Sequence, residues 1–251
     1  MKRRLFMAAA GAGAAALLLP GRVRGAGRHD FTPAQVAYRG GQPAPYPSAL
    51  RSMMKTLIIR TSVDADIERK DLQITSPELY RYPFLYMAGR SAFDPFTDQE
   101  IERLGSFLKA GGTLLLDDAS GIDSSPFDTS VRREVRRLFP DAALDRLLED
   151  HTVFRSFYLL DRIGGRVLVK DAVFGVNVGD RTPVLYCQND LGGAWATDLY
   201  DRPIQGCEPG GENQREMAYR LGVNIIMFTL CLTYKKDRIH VETIMQRRRL
   251  K

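Results

Sequence analysis

Cysteine, histidine and tryptophan are scarce in this chain of 251 residues, which has three, three and one of them. Cys187, Cys207 and Cys231 are odd in number, so they cannot all pair within one chain, and their spacing is not that of a zinc site. A fold held together by several disulfides is therefore excluded. A single disulfide, for example between Cys187 and Cys207, is still compatible with an oxidising compartment.

The sequence also has no apolar run as long as the ~20 residues that a membrane-spanning helix needs. The run from Leu5 to Leu19 has about 15 residues and is interrupted by two glycines. It follows Arg3-Arg4 and precedes small residues, which is the order of a twin-arginine signal peptide. We expect residues 1–27 to be such a signal, and the protein to be exported to the periplasm or another extracytoplasmic site. The alternatives are an uncleaved anchor or a wrongly assigned start.

Basic residues outnumber acidic ones, 36 to 30, but the excess lies at the two ends of the chain. Residues 1–27 hold no acidic residue, and residues 235–251 are strongly basic. A basic tail can bind phosphates or anionic lipid, and it can equally be the solvated end of a helix. Since the body of the chain is not basic, we expect no nucleic-acid partner.

Apolar patterning predicts alternating strands and helices in residues 28–251, which we interpret as one domain. Phe84–Ala88 is a continuous apolar run, as in a buried parallel strand. Thr97 and Glu100 form a capping box before an amphipathic helix, and a second buried strand follows at Thr113–Leu116. The other predicted elements are strands at 31–38, 172–178 and 182–187, a weak strand near 58–63, and helices at 47–57, 128–139 and 213–232.

The order of segments resembles the bacterial family called domain of unknown function 4159. The resemblance covers nearly all of residues 30–245, and its most specific pieces are YPFLYMAGR, GGTLLLDD and the segment around His151. It implies an α/β fold of the class I glutamine-amidotransferase type, with a mostly parallel flavodoxin-like sheet and helices on both faces. It also implies partners among envelope proteins linked to MoxR-type ATPases and von Willebrand factor A systems.

An amidotransferase site would need a cysteine on a tight turn after a central strand, where backbone N–H groups hold an oxyanion. We expect that turn after Thr113–Leu116, where the sequence is DDASG and has no cysteine. Ser120 lacks the flanking pattern of a serine nucleophile elbow. The missing Cys-His pair favours a non-catalytic domain that binds a ligand or a protein and needs no cofactor.

Asp117, Asp118 and His151 are the candidate catalytic residues of the alternative, a hydrolase that is possibly assisted by a metal ion. The two carboxylates follow a predicted parallel strand, and strand ends are where open α/β sheets bind ligands. Their spacing matches no known metal-binding loop, so no metal site is assigned. The competing interpretations are a solvated turn, in which one aspartate caps a helix or accepts backbone hydrogen bonds, and a structural histidine.

A second group of residues is predicted to bind ligand at the same edge. Gly89 and Arg90 follow the strand ending at Ala88, where an anion could approach backbone N–H groups. Asn189 and Asp190 follow another predicted strand, and Trp195 could form an apolar wall. Cys187, at the end of that strand, is interpreted as a packing residue because neighbouring carboxylates disfavour its thiolate.

Overall fold

The computed structural model describes residues 31–249, with the side chains of the last helix described up to Cys231. The predicted signal peptide and the basic side chains of the tail lie outside the described residues. The described strands are β1 (Ala34–Val36), β2 (Lys70–Leu72), β3 (Phe84–Gly89), β4 (Thr113–Asp118), β5 (Leu144–Arg146), β6 (Val173–Val178) and β7 (Arg181–Cys187). The α-helices are α1 (Ala49–Arg60), α2 (Asp98–Ala110), α3 (Pro126–Leu138), α4 (Leu191–Trp195) and α5 (Gly211–Arg249).

The seven strands form one sheet in the order β2-β1-β3-β4-β7-β6-β5. The first five in this order are parallel, and β6 runs antiparallel between β7 and β5. The chain moves to one side from β1 to β2 and then to the other side at β3, which is the flavodoxin-like pattern. The predicted α/β fold with a mostly parallel, flavodoxin-like sheet is confirmed.

Helices cover both faces of the sheet because apolar side chains alternate along the buried strands. Leu114 and Leu116 pack with α2 and α3 in one cluster, whereas Leu115 packs with α1, α4 and α5 in the other. Since the side-chain period of a strand is two, every residue of β4 belongs to one of these two layers. This alternation also decides where the polar residues at the strand ends point.

The crossover from β3 through α2 to β4 forms as the sequence predicts. Thr97 accepts a hydrogen bond from the Glu100 amide at 3.2 Å, and the Glu100 carboxylate accepts one from the Thr97 amide at 2.7 Å. Gly111, with φ of 124°, ends the helix. The two strands then pair in parallel over their full length, which brings Gly89 opposite Asp118.

Some short elements differ from the sequence-based expectations. The prediction of a weak strand near 58–63 is wrong, because residues 58–60 belong to α1. The strands β2 and β5 and the helix α4 were not predicted. Each is only three to five residues long, so none is long enough to show a periodicity. Within the described residues, no helix is long and apolar enough to cross a bilayer.

Thr97→Ala should lower the free energy of unfolding by about 1 kcal/mol, because the amide of Glu100 loses its acceptor at the start of α2. Urea denaturation measures the change. Ser106→Ala, at an exposed position inside the same helix, is the matched control and should leave stability within about 0.5 kcal/mol. Equal effects of the two substitutions would contradict a capping role.

Candidate functional site

The carboxyl ends of β3, β4 and β7 meet at one edge of the sheet, which we call the strand-end edge. Gly89 pairs with Asp118, and Asp117 pairs with Cys187. Asp117 and Asp118 are the last residues of β4, and neither has solvent-exposed surface. The turn is therefore not solvated, but both carboxylates accept backbone hydrogen bonds, as the competing interpretation expected.

Asp190 occupies a tight turn between β7 and α4. Its backbone is left-handed, with φ of 55° and ψ of 64°, a conformation that aspartate tolerates better than most residues. Its carboxylate is fully buried and accepts a hydrogen bond from the Gly193 amide at 2.9 Å, which caps α4. A strained strand-to-helix turn at a sheet edge is typical of functional sites. In this chain the strained turn follows β7, whereas the sequence predicted it after β4.

Asp117 binds the backbone of this same turn. Its two carboxylate oxygens accept the amides of Leu191 at 2.9 Å and Gly192 at 2.7 Å, and the Tyr86 hydroxyl donates to it at 2.6 Å. The first two backbone amides of α4 are thus bound by a carboxylate of the protein itself.

Gly192 allows these groups to pack closely. A β-carbon at this position would lie 2.6 Å from the Tyr86 hydroxyl oxygen and 3.2 Å from the nearer carboxylate oxygen of Asp117. The first distance is shorter than real contacts of a β-carbon, so a larger residue would force Tyr86 away from Asp117. The glycine is therefore part of the site.

Burial raises the pKa of Asp117, and the nearby carboxylate of Asp190 raises it further. Burial also raises the pKa of Asp190, although its hydrogen bond and ion pair with Arg166 oppose the increase. The pKa of Tyr86 is raised by burial and by Asp117, so its hydroxyl remains a donor. The pair of carboxylates therefore holds a proton more strongly than exposed aspartates do.

Tyr46 and Arg166 contact the Asp190 carboxylate and Arg90 stacks on Tyr46, and we call these three side chains the rim. Tyr46 donates to the Asp190 carboxylate at 2.9 Å, and Arg166 forms an ion pair with the same oxygen. The guanidinium carbon of Arg90 lies 4.5 Å from the centre of the Tyr46 ring. Arg90 is exposed and forms no ion pair with any side chain that the structure describes. Its charge is thus oriented by stacking but not neutralised.

Asn189 holds the segment that carries Arg166. Its side-chain oxygen accepts the amides of Val169 and Lys170 at 2.9 and 2.8 Å, and its amide donates to the Lys170 carbonyl at 2.7 Å. The Arg166 amide also donates to the Asp190 carbonyl at 3.0 Å. Asn189 therefore positions Arg166 over the strand-end edge, and is not itself available to a ligand.

His151 is not brought to this site. Its Nε2 lies 2.8 Å from the Thr182 hydroxyl, its Nδ1 accepts the Val153 amide, and its ring packs on Phe228. Thr182 precedes Cys187 by five residues on β7, which is roughly 16 Å along a strand. Burial lowers the pKa of His151. The histidine is a structural group far from Asp117.

Asp118 is separated from Asp117 because adjacent residues of a strand face opposite sides of the sheet. It accepts hydrogen bonds from the Ser125 hydroxyl at 2.5 Å and the Ser120 amide at 2.9 Å. These contacts fix the turn between β4 and α3. The structure therefore does not assemble Asp117, Asp118 and His151 into one cluster.

The remaining predicted residues have packing roles. Gly89 lies under Tyr38 and Phe127, where a β-carbon would be 2.4 Å from the Tyr38 hydroxyl oxygen. Trp195 is buried in the core and donates to the Ala218 carbonyl at 3.0 Å, so it does not form a pocket wall. Cys187 is fully buried, and burial raises the pKa of its thiol, which agrees with its interpretation as a packing residue. Cys187 and Cys207 are both free thiols.

The sequence analysis missed Tyr46, Tyr86 and Arg166. Tyr86 lies within an apolar strand and was counted as core, and the two others lie in irregular segments without a motif. Among the residues that the structure describes, no three His, Cys, Asp or Glu side chains are grouped as a metal ion would require.

The fold and the strand-end edge define a mostly parallel α/β domain with a polar site at the carboxyl ends of its strands. The model of the family described as Domain of unknown function (DUF4159) matches residues 32–230. This is most of the chain, which therefore belongs to that family. Comparison with curated proteins gave no match.

The raised pKa of Asp117 predicts a pH-dependent difference between the wild type and Asp117→Asn. The pKa of Asp117 is higher in the folded state than in the unfolded state, so protonation of this carboxylate stabilises the folded wild type at low pH. This contribution is lost as the pH rises from about 4 to about 8. The stability advantage of the wild type over Asp117→Asn should shrink over that range in urea titrations.

Asp123→Asn is the matched control for this titration. Asp123 is exposed, and its hydrogen bond to Lys170 lowers its pKa, so its contribution has the opposite sign. If the stability advantage of the wild type over Asp117→Asn grew with pH, the folded state would favour the charged form of Asp117. That result would contradict the raised pKa.

Proposed function

We propose that this chain is a non-catalytic binding domain that takes an anionic ligand, such as a carboxylate or a phosphate, at the strand-end edge. The observation that carries the proposal is Arg90. Its guanidinium is exposed, is oriented by the Tyr46 ring and has no carboxylate partner among the described residues. Guanidinium groups bind carboxylates and phosphates through paired hydrogen bonds, and stacking on an aromatic ring reduces the entropy lost on binding.

Arg166 adds a second cation to the same rim. Its side chain is 23% exposed although it pairs with Asp190, so part of the guanidinium faces solvent. Since Tyr46 also contacts Asp190, the rim groups are fixed by a shared buried anion before any ligand arrives. Two preorganised cations over one edge favour a ligand with more than one anionic oxygen.

A binding role fits the state of the turn after β7. The amides of Leu191 and Gly192 already bind Asp117, so they are not free to stabilise a reaction intermediate. The thiol beside the turn, Cys187, is fully buried, and its raised pKa disfavours the reactive thiolate. These features support binding over nucleophilic catalysis.

We further propose that the domain derives from the glutamine-amidotransferase-like fold. The flavodoxin-like strand order and the left-handed residue at a strand-to-helix turn support this. In such a turn Asp190 takes the place where an amidotransferase would carry its cysteine. Conversion of that position to a capping aspartate would remove the nucleophile and retain the architecture.

Export and envelope partners remain proposals that rest on sequence. The order of residues in segment 1–27 supports a twin-arginine signal and therefore an extracytoplasmic location. Resemblance to the family supports partners among proteins linked to MoxR-type ATPases and von Willebrand factor A systems. The anionic ligand would then be a small molecule or an acidic group of such a partner.

The hydrolase alternative receives no support from the geometry. His151 contacts Thr182 and lies far from Asp117, and Asp118 faces the opposite side of the sheet. The hydroxyl groups that contact these carboxylates, Tyr86 on Asp117 and Ser125 on Asp118, are buried and not open to a substrate. We therefore do not assign catalysis to these residues.

Phosphate, sulfate and short dicarboxylates should raise the melting temperature of the full chain at constant ionic strength, because a ligand of the folded state stabilises it. In Arg90→Ala the affinity for the best anion should fall roughly tenfold or more, the effect of removing one charged hydrogen-bond partner. Fluorimetric melting curves over a range of anion concentrations measure both.

Arg81→Ala is the matched control, since it removes the same charge from an exposed arginine that pairs with Glu78 just before the amino end of β3, at the opposite edge of the sheet from Arg90. It should leave anion affinity unchanged. Equal loss in both variants would mean non-specific charge binding and would contradict the proposal. Stabilisation by Mg²⁺ or Zn²⁺ that disappears in Asp117→Ala would instead support a metal-assisted hydrolase.

A further inference from the structure

The carboxylates of Asp117 and Asp190 lie beside one another at the strand-end edge. Gly192 and Gly193 are neighbours in the chain, and their amides bind Asp117 at 2.7 Å and Asp190 at 2.9 Å. A β-carbon at Gly192 would lie 3.2 Å from an oxygen of Asp117, and one at Gly193 would lie 2.5 Å from an oxygen of Asp190. Neither carboxylate has solvent-exposed surface. Two acidic groups are therefore held close together and away from water.

One cation is in direct contact with these two carboxylates among the residues that the structure describes. Arg166 pairs with Asp190 through its Nε. The donors to Asp117 are neutral, since they are the Tyr86 hydroxyl and two backbone amides. Arg90 stacks on the aromatic ring of the rim and pairs with neither carboxylate. If both carboxylates were ionised, one of the two buried negative charges would lack a counter-ion.

A proton bound by the pair supplies the missing positive charge. Burial raises the pKa of Asp117 to about 7, and the nearby Asp190 is a further cause of this increase. Burial also raises the pKa of Asp190, against the effect of Arg166. The pair therefore gains or loses a proton close to neutral pH, where exposed aspartates are charged.

The neutral groups around the pair keep their protons at this pH. They come from the loop before α1, from β3, from β7 and from the loop before α5, and they are Tyr46, Tyr86, Cys187 and Cys207. Burial raises the pKa of each of them. The described histidine, His151, contacts Thr182 and lies far from the pair.

The charged groups around the pair are few. Arg90 and Arg166 belong to the rim, and Asp118 lies on the opposite face of the sheet. The helices that pack on α4 carry charged side chains in ion pairs, which are Arg51–Glu68, Lys55–Asp201 and Arg60–Glu216 for α1 and Arg215–Glu212 for the first turn of α5. Close to neutral pH, the change of charge at this edge therefore belongs to Asp117 and Asp190.

We propose that binding of an anion at the rim is coupled to uptake of a proton by the Asp117–Asp190 pair, so that the site binds anions more tightly in acidic solution. This inference rests on the proposed anion-binding function. The proton comes from solvent and is bound by a carboxylate oxygen of the pair. An acid-favoured receptor would thus respond to the pH of its surroundings.

The geometry of Arg166 couples the two events. Its Nε bonds to Asp190, and its Nη2 lies further out beside the turn after β4, where a β-carbon at Gly121 would be 2.7 Å away. A ligand that binds the terminal nitrogens shares with Asp190 the one charge that balances the pair, and the charge of the ligand itself repels the ionised carboxylates. Both effects favour the protonated pair over the ionised pair.

The sign of the pH dependence follows from this coupling. The pair holds its proton more strongly when the anion is bound, so the pKa of the pair is higher in the complex than in the free protein. The affinity therefore rises as the pH falls through the neutral range, by at most about tenfold per pH unit for one proton. At lower pH the free pair is already protonated, and the affinity should level off.

Calorimetric titration of the full chain with sulfate at constant ionic strength tests the proposal, because sulfate itself does not titrate in this range. The affinity of the wild type should rise roughly tenfold between pH about 8 and pH about 6. At pH about 7, titrations in two buffers with different heats of ionisation should show net proton uptake on binding. Arg90→Ala reports whether the sulfate is bound at the rim.

Two substitutions move the titration in different ways. Asp190→Asn removes one of the two charges, and asparagine both tolerates the left-handed backbone and can accept the Gly193 amide. Its affinity should change little with pH, with little proton uptake. Tyr86→Phe removes the hydroxyl that stabilises the charged form of Asp117, so the rise in affinity should move to higher pH.

Asp123→Asn is the matched control for these variants. It removes the same charge from an exposed aspartate in the loop after β4 that pairs with Lys170, and it should keep the pH dependence of the wild type. Melting curves show whether each variant is folded.

The outcomes distinguish this inference from the function on which it rests. Sulfate binding that requires Arg90 but has the same affinity at both pH values, without proton uptake, would overturn the coupling and leave the binding function standing. Proton uptake that is unchanged in both Asp190→Asn and Tyr86→Phe would also overturn it. A wild type that binds no sulfate at any pH would overturn both.

Discussion

The candidate site depends on one buried carboxylate. Asp117 is the last residue but one of the central strand β4 and binds two amides at the start of α4, so it connects the sheet to the turn that carries Asp190. Asp190 in turn orients Tyr46 and Arg166. Burial disfavours the charged form of Asp117, and its three hydrogen-bond donors offset that cost only in part, because its pKa stays above the ordinary value. The position of every rim group follows from this arrangement.

The same interaction supports the proposed binding role. Asp117 already binds the amides of Leu191 and Gly192, so these two amides are not free for an oxyanion that forms during a reaction. The guanidinium of Arg90 is exposed at the same edge. In our proposal it is this charge that attracts an anionic ligand.

The sequence predicted the layers of the fold well and the site only in part. Buried strands such as Phe84–Ala88 and the Thr97 capping box are encoded locally, so their patterns can be recognised. Arg90, Asp117 and Asp190 were found because they follow such strands. Tyr46 and Arg166 were not, because they reach the site through loops whose paths depend on tertiary contacts. The sequence grouped His151 with Asp117 because no local pattern indicates that His151 contacts Thr182, near the other end of β7.

The hydrogen bonds of Asn189 to residues 169 and 170 determine at which stage of folding the rim can form. Tyr46, Arg90, Asp117, Arg166 and Asp190 come from segments spread over more than half of the chain, and the last two are joined only after β7 is in place. The β3-α2-β4 unit can form early from contacts near in sequence, but the rim requires closure of long loops. A fragment that ends before β7 would therefore have a partial core and would lack the arrangement of Tyr46 and Arg166 around Asp190.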